Sequence, residues 1–331
     1  MVMRVRMRRC FIHIGTHKTG TTSLQHALHA NRRKLDALSY LYPRSGRLAI
    51  AREGHHNIAW ELSRDRRFRR RFGTVDKLLT EIAATPHDVV LSSEDFGSSV
   101  YHAEEFASFV TRLKRLMLDI TLIVYFRNQI DYAKSLYLEL LAFGFDVSFG
   151  EFLTELTDHG RFVWRDWIFP FDYYDFFERL RSIDGVTVVA RSYDVTRAAL
   201  IDDFCSILGL AAADLIAGEE VRRNAQIPSV KAITQYYHNS TRGRWPRPAE
   251  RAALISLSRW DELQFDMTRQ SKLRLIERFA ATNVRLSQLT GIPVFDSMRP
   301  ERLKSDGGKN VFMENIFSSD LVELVNERMS R

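Results

Sequence analysis

Four strongly apolar segments alternate with helical patterns through the first two thirds of this 331-residue chain. They read RRCFIHIG, DVVLSSE, DITLIVYF and GVTVVARSY, and a shorter segment, LSYLYP, follows the first of them. Near-continuous apolar strands that are separated by helices are typical of a parallel sheet covered on both faces. The alternation therefore predicts an α/β fold, in which a parallel β-sheet is flanked by helices.

The C-terminal third lacks such segments, and from about Ser229 onward we expect no strand. The run SKLRLIERFAATNVRLSQLTG predicts an amphipathic helix with Gly291 as its C-cap. The apolar stripe of this helix consists of Leu275, Phe279, Leu286 and Leu289. The sequence thus predicts an α/β domain over residues 1–228 and a helical C-terminal part over residues 229–331.

The composition limits the classes of partner and location. The formal net charge of +7 suits an anionic ligand but does not by itself indicate nucleic acid, and we expect no nucleic acid partner. The only cysteines, Cys10 and Cys205, stand far apart, so we expect no disulfide framework and a reducing, cytoplasmic location. No apolar run reaches the length of about 18 residues that a membrane span requires. The basic run SRDRRFRRRF, residues 63–72, predicts a solvated helix face, with docking of an acidic acceptor or a membrane surface as the alternative.

The first apolar segment leads into a loop that is rich in glycine and hydroxyl side chains. Gly15 and Gly20 stand at the separation of the nucleotide-hydrolase loop G-x-x-x-x-G-K-[ST], but Thr21 takes the place of its lysine and Lys18 lies inside the loop. The hydroxyl donors are Thr19, Thr21, Thr22 and Ser23. A helix from about Thr21 would direct its N-terminus at a bound anion. The pattern predicts a phosphate-binding loop in a P-loop NTPase-like fold, with a displaced lysine.

The displaced lysine matches a known family. The stretch HKTGTTSLQ resembles the 5′-phosphosulfate-binding loop of sulfotransferases that use 3′-phosphoadenosine 5′-phosphosulfate (PAPS) as sulfuryl donor. The core of that loop reads lysine, small residue, glycine, threonine, threonine in the family. Here the same order is given by Lys18, Thr19, Gly20, Thr21 and Thr22.

A second motif fits the same family, which binds the 3′-phosphate of the donor with an arginine and with a serine eight residues further on. The stretch TLIVYFRNQIDYAKS places Arg127 just past a strand and Ser135 eight positions later. Asn128 is expected to cap the intervening helix. A guanidinium can bind a phosphate through two hydrogen bonds, and a hydroxyl adds a donor.

The resemblance covers roughly residues 10–230 and implies an activity. A sulfuryl group would pass from PAPS to a hydroxyl or amine of an acceptor, leaving adenosine 3′,5′-bisphosphate, with Lys18 neutralising the charge that develops and with no metal. The carbohydrate-type branch of the family suggests a glycan or glycolipid acceptor, and the aromatic stretch at 160–177 either lines its cleft or belongs to the core. Arg223 falls where related proteins lay a basic loop over the nucleotide.

Three residues are candidates for the general base that the acceptor requires. His55 and His56 lie where some carbohydrate sulfotransferases keep a base, and Glu94 follows a strand at a position that other branches use. Histidine is slightly favoured, because its ordinary pKa of about 6.5 suits the role without burial. His13 and His17 are expected to pack or to line the nucleotide site, and Asp95, next to Glu94, is expected to be structural.

Two other classes of function compete with sulfuryl transfer. A P-loop nucleotide kinase or hydrolase would use ATP and magnesium, with VVLSSED as its acidic strand. Thr21 in the lysine position opposes this alternative, and it gives no role to Arg127 and Ser135. A nucleotide- or glycan-binding module without turnover is the other alternative, which the intact Lys18 opposes.

Overall fold

The computed structural model describes residues 7–48, 53–215, 239, 264–293, 295, 298–303 and 310–313. Its backbone contacts divide the chain into two compact units. The first, called the sheet unit, comprises Met1–Arg127, Val163–Arg223 and Thr282–Pro293, and the second unit comprises Asn128–Phe162, Asn224–Ala281 and Val294–Arg331. The predicted boundary at residue 228 and the candidate Arg223 lie outside the described residues.

The strands follow the predicted segments in the first two thirds of the chain. They are Arg8–Ile14 (β1), Tyr40–Leu41 (β2), Asp88–Ser93 (β3), Leu118–Phe126 (β4), Arg161–Trp164 (β5), Trp167–Pro170 (β6), Val186–Ser192 (β7), Gln264–Asp266 (β8) and Asn310–Phe312 (β9). The helices are Thr21–Ala30 (α1), Arg32–Ala37 (α2), His56–Leu62 (α3), Val75–Ala83 (α4), Phe96–Ser99 (α5), Ala103–Lys114 (α6), Gln129–Ala142 (α7), Phe149–His159 (α8), Tyr173–Arg181 (α9), Tyr193–Thr196 (α10), Leu200–Leu208 (α11) and Arg269–Thr290 (α12). Among the described residues, no helix is both long and apolar enough to cross a membrane.

A five-stranded sheet in the order β2-β3-β1-β4-β7 forms the centre of the sheet unit. All of its neighbouring strands are parallel, and the central strand β1 pairs with β3 on one side and β4 on the other. The predicted α/β fold with a parallel sheet and flanking helices is therefore confirmed. Because parallel strands share a direction, the carboxyl ends of β1, β3 and β4 lie together at one edge, where open α/β sheets bind their ligands.

Burial on both faces explains why the strands are almost continuously apolar. Phe11 and Ile123 pack on one face against the helices α1, α2 and α11 in a single cluster with Leu24, Leu28 and Phe204. Ile12 and Leu122 alternate with these strand residues and are fully buried as well. Helix α11 ends at Leu208, and Gly209 caps it in the left-handed conformation, as LGL at this point of the sequence suggests.

The second unit contains α7 and α8, which pack through aromatic side chains. The ring centroid of Tyr137 lies 5.1 Å from that of Phe149 and 5.7 Å from that of Phe145. Asn128 caps α7 as predicted, because its side-chain oxygen accepts a hydrogen bond from the Asp131 N–H at 2.8 Å. Ser148 and Glu151 form a capping box at the start of α8.

Two expectations about secondary structure were wrong in part. Strands β8 and β9 form a parallel pair beyond Ser229, where no strand was expected. The sequence did not indicate them, because three-residue strands are too short to produce a periodic pattern. The predicted amphipathic helix is α12, with Gly291 at φ 73°, but Leu289 is 48 % exposed and does not belong to its buried stripe. The stretch at 160–177 contains the two-stranded sheet β5–β6, which the sequence pattern did not indicate.

Candidate active site

The loop after β1, residues 15–20, folds back on itself through main-chain acceptors. The Thr16 hydroxyl donates to the Tyr125 carbonyl at 2.8 Å, and the Thr19 hydroxyl donates to the Thr16 carbonyl at 2.6 Å. Lys18 has φ 66° and Gly20 has φ 73°, so two of the six residues are left-handed. A Cβ on Gly20 would lie 2.7 Å from Leu200 Cδ2, which explains the glycine both by conformation and by space. We call this segment the β1 loop.

The four predicted hydroxyl donors have different environments. Thr19 is buried and its hydroxyl is engaged within the β1 loop, whereas Thr22 and Ser23 are exposed on the first turn of α1. Thr21 is 5 % exposed, and its hydroxyl oxygen has no hydrogen-bond partner among the described residues. A buried polar atom without a partner is uncommon in proteins and is expected where a ligand supplies the missing bond. Thr21 therefore points to a ligand at the N-terminus of α1.

Arg127 connects the second predicted motif to the first. It follows β4, the strand beside β1, and its Nη1 donates a hydrogen bond to the Lys18 carbonyl at 3.0 Å. Its own carbonyl accepts from the Tyr173 hydroxyl at 2.7 Å, and its guanidinium lies 5.8 Å from the Tyr193 ring. Two segments that are more than 100 residues apart in the sequence thus meet at one edge of the sheet. Ser135, the partner of Arg127 in the motif, is half-buried in α7 and belongs to the second unit.

Glu94 and Asp95, which follow β3, lie beside His56 at the start of α3. We call these three residues the acid–histidine cluster. His56 Nδ1 lies 2.9 Å from Asp95 Oδ2 and 4.0 Å from Glu94 Oε2. His56 and Asp95 are 4 % and 5 % exposed, whereas the Glu94 side chain is 21 % exposed and accepts a hydrogen bond from Gln25 at 2.8 Å. A Cβ on Gly15 would lie 3.2 Å from Glu94 Cα, so this cluster is in contact with the β1 loop.

Asp95, which the sequence suggested is structural, has partners from three segments. Its Oδ1 accepts hydrogen bonds from Trp167 Nε1 at 3.1 Å and from Arg67 Nη2 at 3.3 Å, while its Oδ2 faces His56. Burial alone would raise the pKa of the Asp95 carboxyl, but the hydrogen bond to His56 and the charges of His56 and Arg67 outweigh it and hold that pKa below its ordinary value. Asp95 is therefore a buried carboxylate that fixes the His56 ring.

Arg67 corrects the expectation for the basic run at 63–72. This segment is not one helix, since only Arg70–Phe72 forms a short 3-10 turn, and the Arg67 side chain is only 26 % exposed, whereas Arg64 and Arg66 are exposed as expected. Its guanidinium lies between two indole rings, 4.6 Å from Trp60 and 4.3 Å from Trp167, and pairs with Asp65 and Asp95. Periodicity and charge cannot distinguish such an arginine from its neighbours, because only Asp65 lies in the same run, whereas Trp60, Asp95 and Trp167 come from three other segments.

The two candidate histidines, which the sequence could not separate, have different surroundings. His55 is fully buried, its Nδ1 accepts from the Ser92 N–H at 3.1 Å, and its Nε2 lies 3.1 Å from the Pro43 carbonyl. Both ring nitrogens are thus bonded to main chain, and burial lowers the pKa of His55 to about 3. His55 holds β3 to the segment after β2, whereas His56 faces carboxylates.

The histidines that flank the β1 loop also differ. His13 packs in the core between Tyr125 and Phe204, as expected, with Nδ1 2.9 Å from the Ser92 hydroxyl. Burial lowers the pKa of His13 to about 4. The His17 ring lies 4.8 Å from Phe169, and its charge contributes to the low pKa of Asp95. His17 is therefore the one of the two that lies beside the acid–histidine cluster.

The aromatic stretch at 160–177 contributes mainly to the core. Phe169, Phe171, Tyr173 and Phe176 are buried, and the rings of Trp164 and Trp167 are stacked at 5.5 Å. The Arg165 guanidinium lies 4.1 Å from the Trp164 ring, so the two indole rings are stacked between Arg165 on one side and Arg67 on the other. This stack supports the hydrogen bond from Trp167 to Asp95.

Comparison with protein-family models, with curated proteins and with solved structures found no match to this chain. The chemistry of the site must therefore be inferred from the residues themselves. Backbone and hydroxyl donors, Lys18 and Arg127 make the edge at β1 and β4 suitable for an anionic ligand. The adjoining edge at β3 carries a histidine that is oriented by a buried carboxylate.

Proposed function

We propose that this protein is a PAPS-dependent sulfotransferase with a P-loop NTPase-like α/β fold. One observation carries the proposal: Arg127 at the end of β4 donates a hydrogen bond to the carbonyl of Lys18 in the β1 loop. The two sequence motifs that resemble the donor site thus lie in contact, beside the unpartnered hydroxyl of the buried Thr21. A donor with phosphate groups at both its 5′ and 3′ positions needs a cation for each, and the two motifs would supply Lys18 and Arg127.

The residues present fit the donor. The N-terminus of α1, the Thr21 hydroxyl and Lys18 would hold the 5′-phosphosulfate, because helix N-termini and lysine both stabilise negative charge. Arg127 would hold the 3′-phosphate, and the resemblance gives Ser135 the same role. The left-handed Gly20 allows the main chain to approach the ligand closely.

The reaction breaks the bond between the sulfur and the bridging oxygen of the donor and forms a bond between the sulfur and an acceptor oxygen or nitrogen. Lys18 would stabilise the charge that grows on the leaving phosphate. The proton of the acceptor passes to a base, and we assign this role to His56 rather than His55. A His56 ring that is protonated on Nδ1, toward Asp95, carries its basic lone pair on Nε2. Glu94, the more exposed neighbour, remains the second candidate.

The acceptor that the resemblance implies is a carbohydrate or glycolipid hydroxyl, or an amine on such a molecule. The acid–histidine cluster lies at the carboxyl end of the strand next to β1, where an acceptor can approach the transferable group. The protein would accordingly act as a transferase in the cytoplasm, with peripheral membrane contact if the acceptor is a glycolipid.

Calorimetric titration tests the donor site directly. We expect adenosine 3′,5′-bisphosphate to bind in EDTA with a micromolar Kd, and we expect Arg127→Ala and Ser135→Ala to weaken binding, the former by about tenfold to a hundredfold. Arg115→Ala is the matched control, because Arg115 is exposed and follows α6 away from the site. Binding of ATP with magnesium in place of the bisphosphate would reject the sulfotransferase and support a P-loop kinase or hydrolase.

Turnover is tested separately, with PAPS and a panel of glycans and glycolipids. Sulfated product that is lost in Lys18→Ala would support the enzyme. Tight binding of the bisphosphate with no transfer to any acceptor would instead favour a binding module.

A further inference from the structure

A second strongly basic cavity lies in the sheet unit, away from the β1 loop. It has a volume of about 310 Å³, which is at the lower end of the range for small-molecule sites. Four arginines line it, two from the start of α2 and two from the segment that follows β2: Arg32, Arg33, Arg44 and Arg47. The cavity lies beside β2, which is an edge strand of the sheet.

The two carboxylates in the cavity wall already have partners. Glu81 accepts hydrogen bonds from the main-chain N–H groups of Arg44 and Ser45 at 2.7 and 2.9 Å. Asp36 is 3.3 Å from His87 and is largely exposed. Four guanidinium groups therefore face two carboxylates, and the cavity keeps an excess of positive charge.

Arg47 is a half-buried cation for which the structure shows no carboxylate hydrogen bond within the described ranges. Its Nε donates to the Pro43 carbonyl at 2.7 Å, its Nη1 contacts His29 Nδ1, and its Cζ lies 5.3 Å from the Tyr42 ring. Burial lowers the pKa of Arg47, which reflects the cost of a cation in this position. A buried charge normally has an ionic partner, so an anion is expected to complete this site.

Arg33 and Arg44 add two cations that are free to turn toward a ligand. Both side chains are exposed, and neither makes a side-chain hydrogen bond or an ion pair with any residue that the structure describes. A guanidinium binds sulfate, phosphate or carboxylate through two parallel hydrogen bonds. The cavity is larger than an inorganic oxyanion needs, which indicates an organic anion.

We propose that this cavity binds the sulfate, phosphate or carboxylate group of an anionic sugar. Its position relates it to the acceptor, because the Pro43 carbonyl that accepts from Arg47 also lies 3.1 Å from His55 Nε2, next to His56 in the chain. An acceptor that reaches His56 with one sugar can place a negatively charged neighbouring group among these arginines. The link to the acceptor rests on the proposed function, whereas the anion site itself does not.

Binding is tested with glucose 6-sulfate and glucose 6-phosphate, and with glucose as the uncharged probe. The protein variants are Arg47→Gln and the double variant Arg33→Gln/Arg44→Gln. The side chains of Arg33 and Arg44 are exposed, so the double variant is expected to fold normally. We expect the charged sugars to bind and glucose not to bind, and the double variant to weaken binding about tenfold to a hundredfold. Arg115→Gln, the removal of an exposed arginine elsewhere, is expected to have no effect.

Lys18→Ala separates this cavity from the β1 loop. Binding that survives in Lys18→Ala and is lost in the double variant supports the cavity. Binding that shows the reverse pattern, equal binding of glucose, or no binding of either charged sugar would overturn the inference, whatever the enzyme does with PAPS.

A final measurement tests the link to the acceptor. If the anionic sugar belongs to the acceptor, glycans that carry a sulfate or carboxylate should be sulfated with a lower KM than their neutral counterparts, and the double variant should remove that preference with little change in kcat. A preference that persists in the double variant would overturn the acceptor link while leaving the anion site and the proposed function intact.

Discussion

The β1 loop and the acid–histidine cluster are adjacent but are stabilised in opposite ways. The β1 loop is held by bonds to main-chain carbonyls, from Thr16, from Thr19 and from Arg127. The cluster is held by contacts between side chains. Asp95 is hydrogen-bonded to His56, to Arg67 and to Trp167, and the first two of these can neutralise its charge. The loop therefore brings Lys18 and Arg127 together at one edge of the sheet, whereas the charges of the cluster are paired with one another. The first arrangement suits binding an anion, and the second suits holding a catalytic ring in one orientation.

The largest expected effect separates the two regions by activity. If the cluster supplies the base and the β1 loop supplies the donor site, His56→Gln should lower kcat by about a hundredfold to ten-thousandfold, because a positioned general base contributes that much. The same variant should leave the Kd for adenosine 3′,5′-bisphosphate unchanged. Steady-state kinetics and calorimetry on one preparation check both parts.

Glu94→Gln is the matched comparison for His56→Gln. A small loss of kcat in Glu94→Gln beside a large loss in His56→Gln would assign the base to the histidine. The opposite result would assign it to Glu94 and give His56 a positioning role.

The next largest effect concerns stability and tests the balance of the cluster. Asp95→Asn removes one of the two carboxylate partners of Arg67 and the charged partner of His56, so we expect a loss of roughly 3 kcal/mol in the free energy of unfolding. Asp175→Asn, which breaks the exposed pair with Arg179 on α9, should cost only about 0.5 kcal/mol. Urea denaturation at neutral pH measures both, and equal losses would show that the cluster is not a balanced buried network.

The buried His55, next to His56 in the chain, should make the free energy of unfolding depend on pH. His55 has its pKa lowered to about 3 in the folded protein, so between about pH 6.5 and that value the unfolded chain binds a proton that the folded chain does not. Acid therefore favours the unfolded state, and this residue contributes a loss of about 1.4 kcal/mol for each pH unit below 6.5. In His55→Gln the unfolding free energy should be lower at pH 7, but the gap to the wild type should narrow by about 3 kcal/mol on going to pH 4.5.

Denaturation curves at several pH values decide this point. Parallel pH profiles of the wild type and His55→Gln would show that His55 titrates normally in the fold. His13→Gln serves as a second test of the same kind, with nearly the same change down to pH 4.5, because its pKa of about 4 also lies below that pH.

The same contrast explains what the sequence could and could not predict. The β1 loop was recognisable because Gly15, Lys18, Gly20 and Thr21 are close together in one segment, and the spacing carries the chemistry. The acid–histidine cluster and its neighbours Arg67 and Trp167 come from separate segments, which meet only in the folded chain. The candidates His56 and Glu94 were found by residue type, but the roles of Asp95 and Arg67 needed the fold.

The accuracy of the fold prediction also followed from the length of each pattern. Long apolar strands such as β4 and the 22-residue helix α12 were predicted correctly because their periodicity extends over many residues. The three-residue strands β8 and β9 were missed because their pairing depends on residues more than 40 positions apart. Long periodic segments can therefore be predicted from this sequence, whereas contacts between short distant segments cannot.

The smallest expected effect tests whether the β1 loop sacrifices stability for binding. Lys18 has φ 66°, a conformation that costs a side-chain-bearing residue about 1 kcal/mol and costs glycine little. The free energy of unfolding of Lys18→Gly should therefore be about 1 kcal/mol higher than that of Lys18→Ala. Both variants lose the amine, so both should lose binding of the donor product. Ser39→Gly is the matched control, because Ser39 has φ 63° in the exposed turn before β2 and should give the same gain in stability with unchanged binding. If Lys18→Gly were no more stable than Lys18→Ala while Ser39→Gly gained stability, the left-handed conformation of Lys18 would not lower the stability of the protein. If both glycine variants gain, the lysine is kept in an unfavourable conformation for what its amine binds.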